Sequence, residues 1–203
     1  MRSLKESILS TSKVGKFDEW NNFKKENAHP KKSRDLKITV NQAIKLKGPN
    51  VDLNWIDVSS IVDMSGLFKY LDFNGDISKW NVSNVQYMDA MFAESSFNGD
   101  ISNWDVSNVV SMYSMFEESD FNGDISKWDV SRVRFMTYMF AESKFNRDIS
   151  KWDMSNVWGI DHMFVNSKFA GDLSKWDLKS IKYKVDVFRG SPLEKNPPKW
   201  YKD

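Results

Sequence analysis

The chain has 203 residues, 40% of them hydrophobic and 28% charged, enough for one domain with a sizeable core. A formal charge of +1 excludes a global field drawing it to nucleic acid or to an acidic surface. The absence of cysteine excludes disulfides, thiolate nucleophiles and cysteine-based zinc sites. No apolar run approaches the roughly 20 residues that cross a bilayer, so no membrane insertion is expected. The opening MRSLKESILSTSKVGKF is broken by Lys5, Glu6 and Lys13 and has no signal-peptide stretch. The expected location is therefore cytoplasmic or virion-associated.

Taken in chain order, residues 1–48 fall outside the pattern that governs the rest. Phe17, Trp20 and Phe23 recur at helical intervals and predict a short amphipathic helix over Phe17–Asn27. A Pro-Lys-Lys-Ser-Arg stretch at 30–34 ends it. Val40, Ala43 and Ile44 then match slots of the repeat described below, which predicts a capping half-unit over 38–46.

From residue 49 the sequence is periodic. Trp80, Trp104, Trp128, Trp152 and Trp176 are spaced by 24, and Trp200 continues the series. Phe73, Phe97, Phe121, Phe145 and Phe169 keep the same step, as do Phe68, Phe92, Phe116, Phe140, Phe164 and Phe188. The unit reads F-N-G-D-I-S-x-W-D-V-S-N-V-x-x-M-x-x-M-F-x-x-S-x. A fixed period of this length is the signature of stacked repeats. Residues 49–192 are read as a six-repeat solenoid whose first unit is degraded: Pro49 replaces the phenylalanine, and Ile56 holds the tryptophan slot with Trp55 one position early. Residues 193–203 form a C-terminal capping half-unit, in which Pro197 and Pro198 remove ladder donors.

Within a unit, Asn-Gly (Asn98-Gly99) marks a turn at which both residues tolerate positive φ. Asp100–Trp104 suits a short parallel strand. Val109, Met112, Met115 and Phe116 have helical spacing. The expected class is thus an α/β repeat solenoid, with one short parallel strand and a short helix or 3₁₀ segment per unit.

The unit resembles the BspA-like leucine-rich repeat family, including its lipoprotein-associated branch in mycoplasmas. The resemblance covers about 49–200 and rests on the Trp-Asp-Val-Ser-Asn-Val run and the Met-Phe pair. It implies a leucine-rich-repeat-like solenoid used in surface adhesion or protein binding. The opening Ser-Leu-Lys-Glu-Ser-Ile-Leu-Ser also resembles the N-termini of proteins from phages of gut bacteria, over about ten residues.

Catalytic constellations are missing from the pattern. His162 has no nucleophile at a motif spacing and reads as a surface substitution, because Ala90, Ser114 and Tyr138 hold its slot elsewhere. Asp76, Asp100, Asp124, Asp148 and Asp172 recur in equivalent settings. Paired catalytic carboxylates need unlike settings, so this ladder is assigned to turn or backbone hydrogen bonding, with calcium as the alternative. No enzyme, no cofactor and no metal site is expected.

Charge is uneven: residues 1–45 carry a net +6, 46–167 a net −9 and 168–203 a net +4. An acidic middle on a solvated surface accounts for this; docking of nucleic acid by the basic termini, Lys31, Lys32 and Arg34 foremost, is the alternative. Function in a repeat scaffold is sought where units differ. Tyr87, Tyr113, Phe135, Tyr138, Trp158 and Tyr183 are aromatic at slots outside the repeating core, and aromatic residues are common interface anchors. They mark a protein-binding stripe, unless they merely fill gaps in the lattice or pack on the N-terminal cap. A protein partner is the first expectation. An assembly component buried in an oligomer is the rival.

Overall fold

Residues 18–201 are described by the computed structural model. Each 24-residue unit is a closed coil laid against the next: coil one is 49–72, coil two 73–96, coil three 97–120, coil four 121–144, coil five 145–168 and coil six 169–192. Coil three shows the pattern. Its corners are turns closed by Trp104 N–H to Ile101 O (3.2 Å), Val109 N–H to Val106 O (2.9 Å) and Met115 N–H to Met112 O (3.3 Å). One side of the coil faces forward along the stack. The N–H groups of Met112, Ser114, Phe116 and Glu118 donate to the carbonyls of Phe135, Thr137, Met139 and Ala141 in coil four at 2.8–2.9 Å. The carbonyls of Ser111, Tyr113, Met115 and Glu117 accept from Met88, Ala90, Phe92 and Glu94 of coil two at 2.7–3.0 Å. Four peptide planes per coil therefore point the same way, and hydrogen bonds run through them from coil to coil.

Local structure differs from expectation in three respects. The parallel contact falls at Asp63, Tyr87, Ser111, Phe135, Gly159 and Tyr183, which form five isolated bridges, whereas Asp100–Trp104 makes a turn and no strand. Val109–Phe116 is not helical. Ser114 and Glu118 have φ of 53° and 51°, and such left-handed residues turn their N–H groups out to the next coil and interrupt any helix. The Asn-Gly pairs are not positive-φ turns either: among the described glycines only Gly48, Gly66 and Gly190 have positive φ. A Cβ at Gly99 or Gly123 would lie 2.8 Å from the ring of Phe97 or Phe121, while Arg147 fills the equivalent slot beside Phe145.

The repeating side chains form columns inside the coils. Phe68, Phe92, Phe116, Phe140, Phe164 and Phe188 stack with ring centroids 5.4–5.8 Å apart. Phe73 through Phe169 form a second column at 6.0–6.3 Å, pressed against the first. Trp80, Trp104, Trp128, Trp152 and Trp176 are each 4% exposed. Each indole N–H reaches back 27 residues to a carbonyl, as Trp128 does to Ile101 O at 3.1 Å. A buried indole needs such an acceptor. Asn74, Asn98, Asn122 and Asn146 form a further ladder, each side-chain oxygen accepting the backbone N–H of the same slot one coil on.

Two elements close the N-terminal end. Helix α1 (18–27) overlaps the predicted Phe17–Asn27 helix, of which Phe17 lies outside the described residues. Helix α2 (Ser33–Lys47) replaces the half-unit expected over 38–46. Val40 and Ala43 are buried as core residues, but that stretch lacks the Asp-x-Ser and Trp turn signals, and its apolar spacing of three and four suits a helix. Basic Lys45 and Lys47 occupy the last turn of α2, and the Gly48 N–H closes it on Ile44 O. The Ser33 hydroxyl donates to Asp63 O and Lys37 Nζ to Gly66 O on coil one. Trp55, one place out of register, packs on Trp20 and Phe23 of α1 at 5.7 and 5.8 Å. At the other end, residues 193–201 lie over coil six. Trp200 stacks on Trp176 at 6.2 Å and donates to Leu173 O, the same indole hydrogen bond the interior tryptophans make.

Two outcomes follow from this packing. Trp128→Ala removes a buried indole (4% exposed) and its contacts to Ile101 and Phe116 of coil three and should cost about 3–5 kcal/mol, whereas Trp200→Ala, half-buried at the end, should cost clearly less; chemical denaturation measures both. Glu118 holds a left-handed φ and is flanked by Glu94 and Glu142, and burial, then these neighbours and Glu117, pushes its carboxyl above the usual range. Gly190 holds the same left-handed slot in coil six. Glu118→Gly should therefore stabilise the chain by about 1 kcal/mol, read as a higher denaturation midpoint; an unchanged or lower midpoint contradicts the strain.

Candidate functional site

The forward-facing side of each coil carries the slots that vary between units. Around the buried lattice residues Val109 and Met112, positions 110, 111, 113 and 114 lie between the bridge and the left-handed turn. The backbone ladder fixes them in columns 24 residues apart. Tyr87, Tyr113, Phe135 and Tyr183 are 42, 44, 39 and 58% exposed, while Tyr138 and Trp158 are half-buried.

The six predicted aromatic residues do not form one continuous stripe. Tyr113 meets Tyr138 edge-on at 6.0 Å, and Tyr138 lies on the ring of His162 at 4.7 Å. His162 is thus more than a surface substitution: it is half-buried at φ 54°, and its Nδ1 is buried with no partner among the described residues. Phe135 meets Trp158 edge-on at 5.8 Å. Trp158 in turn carries the Arg134 guanidinium at 4.3 Å and Lys182 Nζ at 4.5 Å. Tyr87 and Tyr183 stand at the two ends and make no ring contact among the described residues.

Sequence reasoning missed the cations of this face. Arg134 and Lys182 share the column of Trp158, and their neighbours Phe135 and Tyr183 were singled out for aromaticity alone. A charge that interrupts the slot pattern beside an aromatic residue was the available signal. Asp89 and Asp161 also belong to the face. Asp89 Oδ1 accepts the Tyr113 N–H at 3.0 Å and the Ser111 hydroxyl, and Asp161 Oδ1 accepts the Val185 N–H at 2.8 Å. These two brace the next coil.

The repeated aspartates close turns. Asp76, Asp100, Asp124, Asp148 and Asp172 each accept the N–H of the serine two residues on, at 2.8–2.9 Å. Asp57, Asp105 and Asp153 do the same with Ser59, Ser107 and Ser155. Among the described residues, no three histidine, aspartate or glutamate side chains gather as a metal site requires. The turn serines hold these carboxyls below the usual range, and Asp57, bonded to Ser59 and also to His29, is down at about 2. In the unfolded chain they titrate near about 3.9, so the folded state binds fewer protons below that pH. Their stabilisation is complete above about pH 5 and is lost as pH falls through the folded values toward about 2. The denaturation midpoint should hold from pH 7 to 5 and fall steeply below 4. Asp100→Asn, which keeps an acceptor without the titration, should flatten part of that fall.

One family pattern, described as "Mycoplasma protein of unknown function, DUF285", matches residues 34–143 and again 117–200. Comparison with curated proteins and with solved structures gave no match. The two matched stretches together run from α2 through all six coils to Trp200, and on that coverage the chain belongs to the repeat-containing DUF285 family.

Proposed function

We propose that the coil stack is a leucine-rich-repeat-like solenoid of BspA-like character that acts as a non-catalytic protein-recognition or adhesion module. One contrast supports this reading. The repeating slots are spent on the interior, where Phe116, Met112 and Val109 are fully buried, while the variable slots of one face present Tyr87, Tyr113, Phe135 and Tyr183 to solvent. Exposed aromatic residues on a rigid backbone lose little conformational freedom on binding and anchor interfaces well. The two aromatic clusters are held in place by rings and cations of adjacent coils, so the face is ordered before a partner arrives.

The test uses the residues that the fold does not need. Tyr113→Ala, Phe135→Ala and Tyr183→Ala combined should leave the denaturation midpoint within about 1 kcal/mol of the parent, as surface changes do. The same variant should lose partner capture in a pull-down; unchanged capture sinks the proposal. An assembly component, including a phage structural protein, would bury the same face permanently. Solution mass measurement separates the two, a stable oligomer favouring assembly.

A further inference from the structure

Resting on the recognition role proposed above, the geometry points to a carboxylate-binding cleft on coils three to six that takes an acidic segment of a protein partner, and we propose Arg132, Arg134 and Lys182 as its cationic residues. Arg132 interrupts a ladder. Asn84, Asn108 and Asn156 occupy its slot in other coils, donating to Ser59, Ser83 and Ser131 carbonyls. Arg132 instead donates one guanidinium N–H to Asn108 Oδ1 at 2.7 Å, which fixes the group and leaves other N–H groups uncommitted. Arg134 stands two residues on, its guanidinium carbon 4.3 Å from the centre of the Trp158 ring. A guanidinium held beside a ring makes no hydrogen bond to a lone pair there and keeps N–H donors for a carboxylate, which it can bind in bidentate fashion.

A groove of 290 Å³ separates these groups, lined by Val110, Ser131, Arg132, Arg134 and Asn156. Lys182 lies on Trp158 from the following coil and extends the positive charge toward Tyr183. Among the described residues none of the three cations is within ion-pair distance of a carboxylate, although residues 46–167 carry a net −9. A positive cleft at the border of the acidic stretch 46–167 admits a short acidic segment there and repels it on the acidic side, which fixes register. Nucleic acid suits the cleft less well. Arg134 and Lys182 already lie over the Trp158 ring at 4.3 and 4.5 Å and compete with a base for stacking on it. The acidic coils would also repel a long polyanion.

The test titrates the whole protein with a capped hexaglutamate peptide and follows the arginine Nε–H and indole N–H signals by NMR. Saturable shifts of the Arg132, Arg134 and Trp158 signals are expected, weakening as salt is raised. Arg132→Asn and Arg134→Gln place the residues that other coils carry in those slots, so the fold should be kept. Together they should weaken peptide binding by about tenfold or more, and Lys127→Gln, in an exposed turn, should leave it unchanged. Three results overturn the cleft: no saturable shift, equal saturation by inorganic phosphate alone, or tighter binding of an oligothymidylate of the same charge. Partner capture distinguishes this failure from that of the recognition role. If the arginine variant keeps capture while the Tyr113, Phe135 and Tyr183 variant loses it, recognition stands and the acidic-segment assignment falls.

Discussion

Coils one to five each depend on backbone N–H groups that find their acceptors 23 residues ahead. Met112, Ser114, Phe116 and Glu118 show it in coil three, and coils two, four and five repeat it. A buried peptide N–H without an acceptor costs about 1–3 kcal/mol, so the condition constrains length more tightly than any side chain does. A coil with one residue more or fewer would put donors opposite donors along that side. It would also move the phenylalanine and tryptophan columns out of line. The constancy of the 24-residue spacing in Trp80 to Trp200 is the sequence expression of this demand.

The ladder also accounts for the two left-handed residues in each coil. A right-handed turn would direct the Ser114 and Glu118 N–H groups into their own coil. Positive φ turns them outward to Thr137 and Ala141 at 2.9 and 2.8 Å. Non-glycine residues adopt this conformation at a cost of about 1–2 kcal/mol each, which one ladder bond per residue offsets in the packed interior. The same geometry lifts neighbouring side chains onto the variable face. Tyr138 and His162 sit at the left-handed slot of coils four and five and lie ring on ring.

The sequence displayed the period, the buried columns and the variable slots, because each is a matter of residue type at a fixed step. What it concealed was local conformation. Val109, Met112, Met115 and Phe116 have helical spacing, yet the coil buries them through successive turns; spacing reports which residues face inward and not the backbone path between them. Asn-Gly can mark a positive-φ turn or a place close against a ring, and Gly99 is the second. Val40 and Ala43 matched repeat slots because offsets of three and four are common to this coil and to a helix. The cations around Trp158 were visible at positions 134 and 182, but the stacking of Arg134 and Lys182 on one ring depends on the coil-to-coil alignment.

The alignment of the four peptide planes gives that side of the coils an electrical direction, while elsewhere Val110 and Asp120 donate the other way, to Gln86 O and Ser95 O of coil two. Each plane is a dipole of roughly 3.5 D, and in every coil the carbonyl ends face coil one while the N–H ends face coil six. The columns add head to tail, as in a helix, but across separate turns of chain. Coil one therefore presents the negative pole, and it is there that Ser33 and Lys37 of α2 direct a hydroxyl and an ammonium at the Asp63 and Gly66 carbonyls. A terminal group that donates to the carbonyl end of these four columns does not suit their N–H end. The two ends of such a stack are not interchangeable, however alike the coils between them.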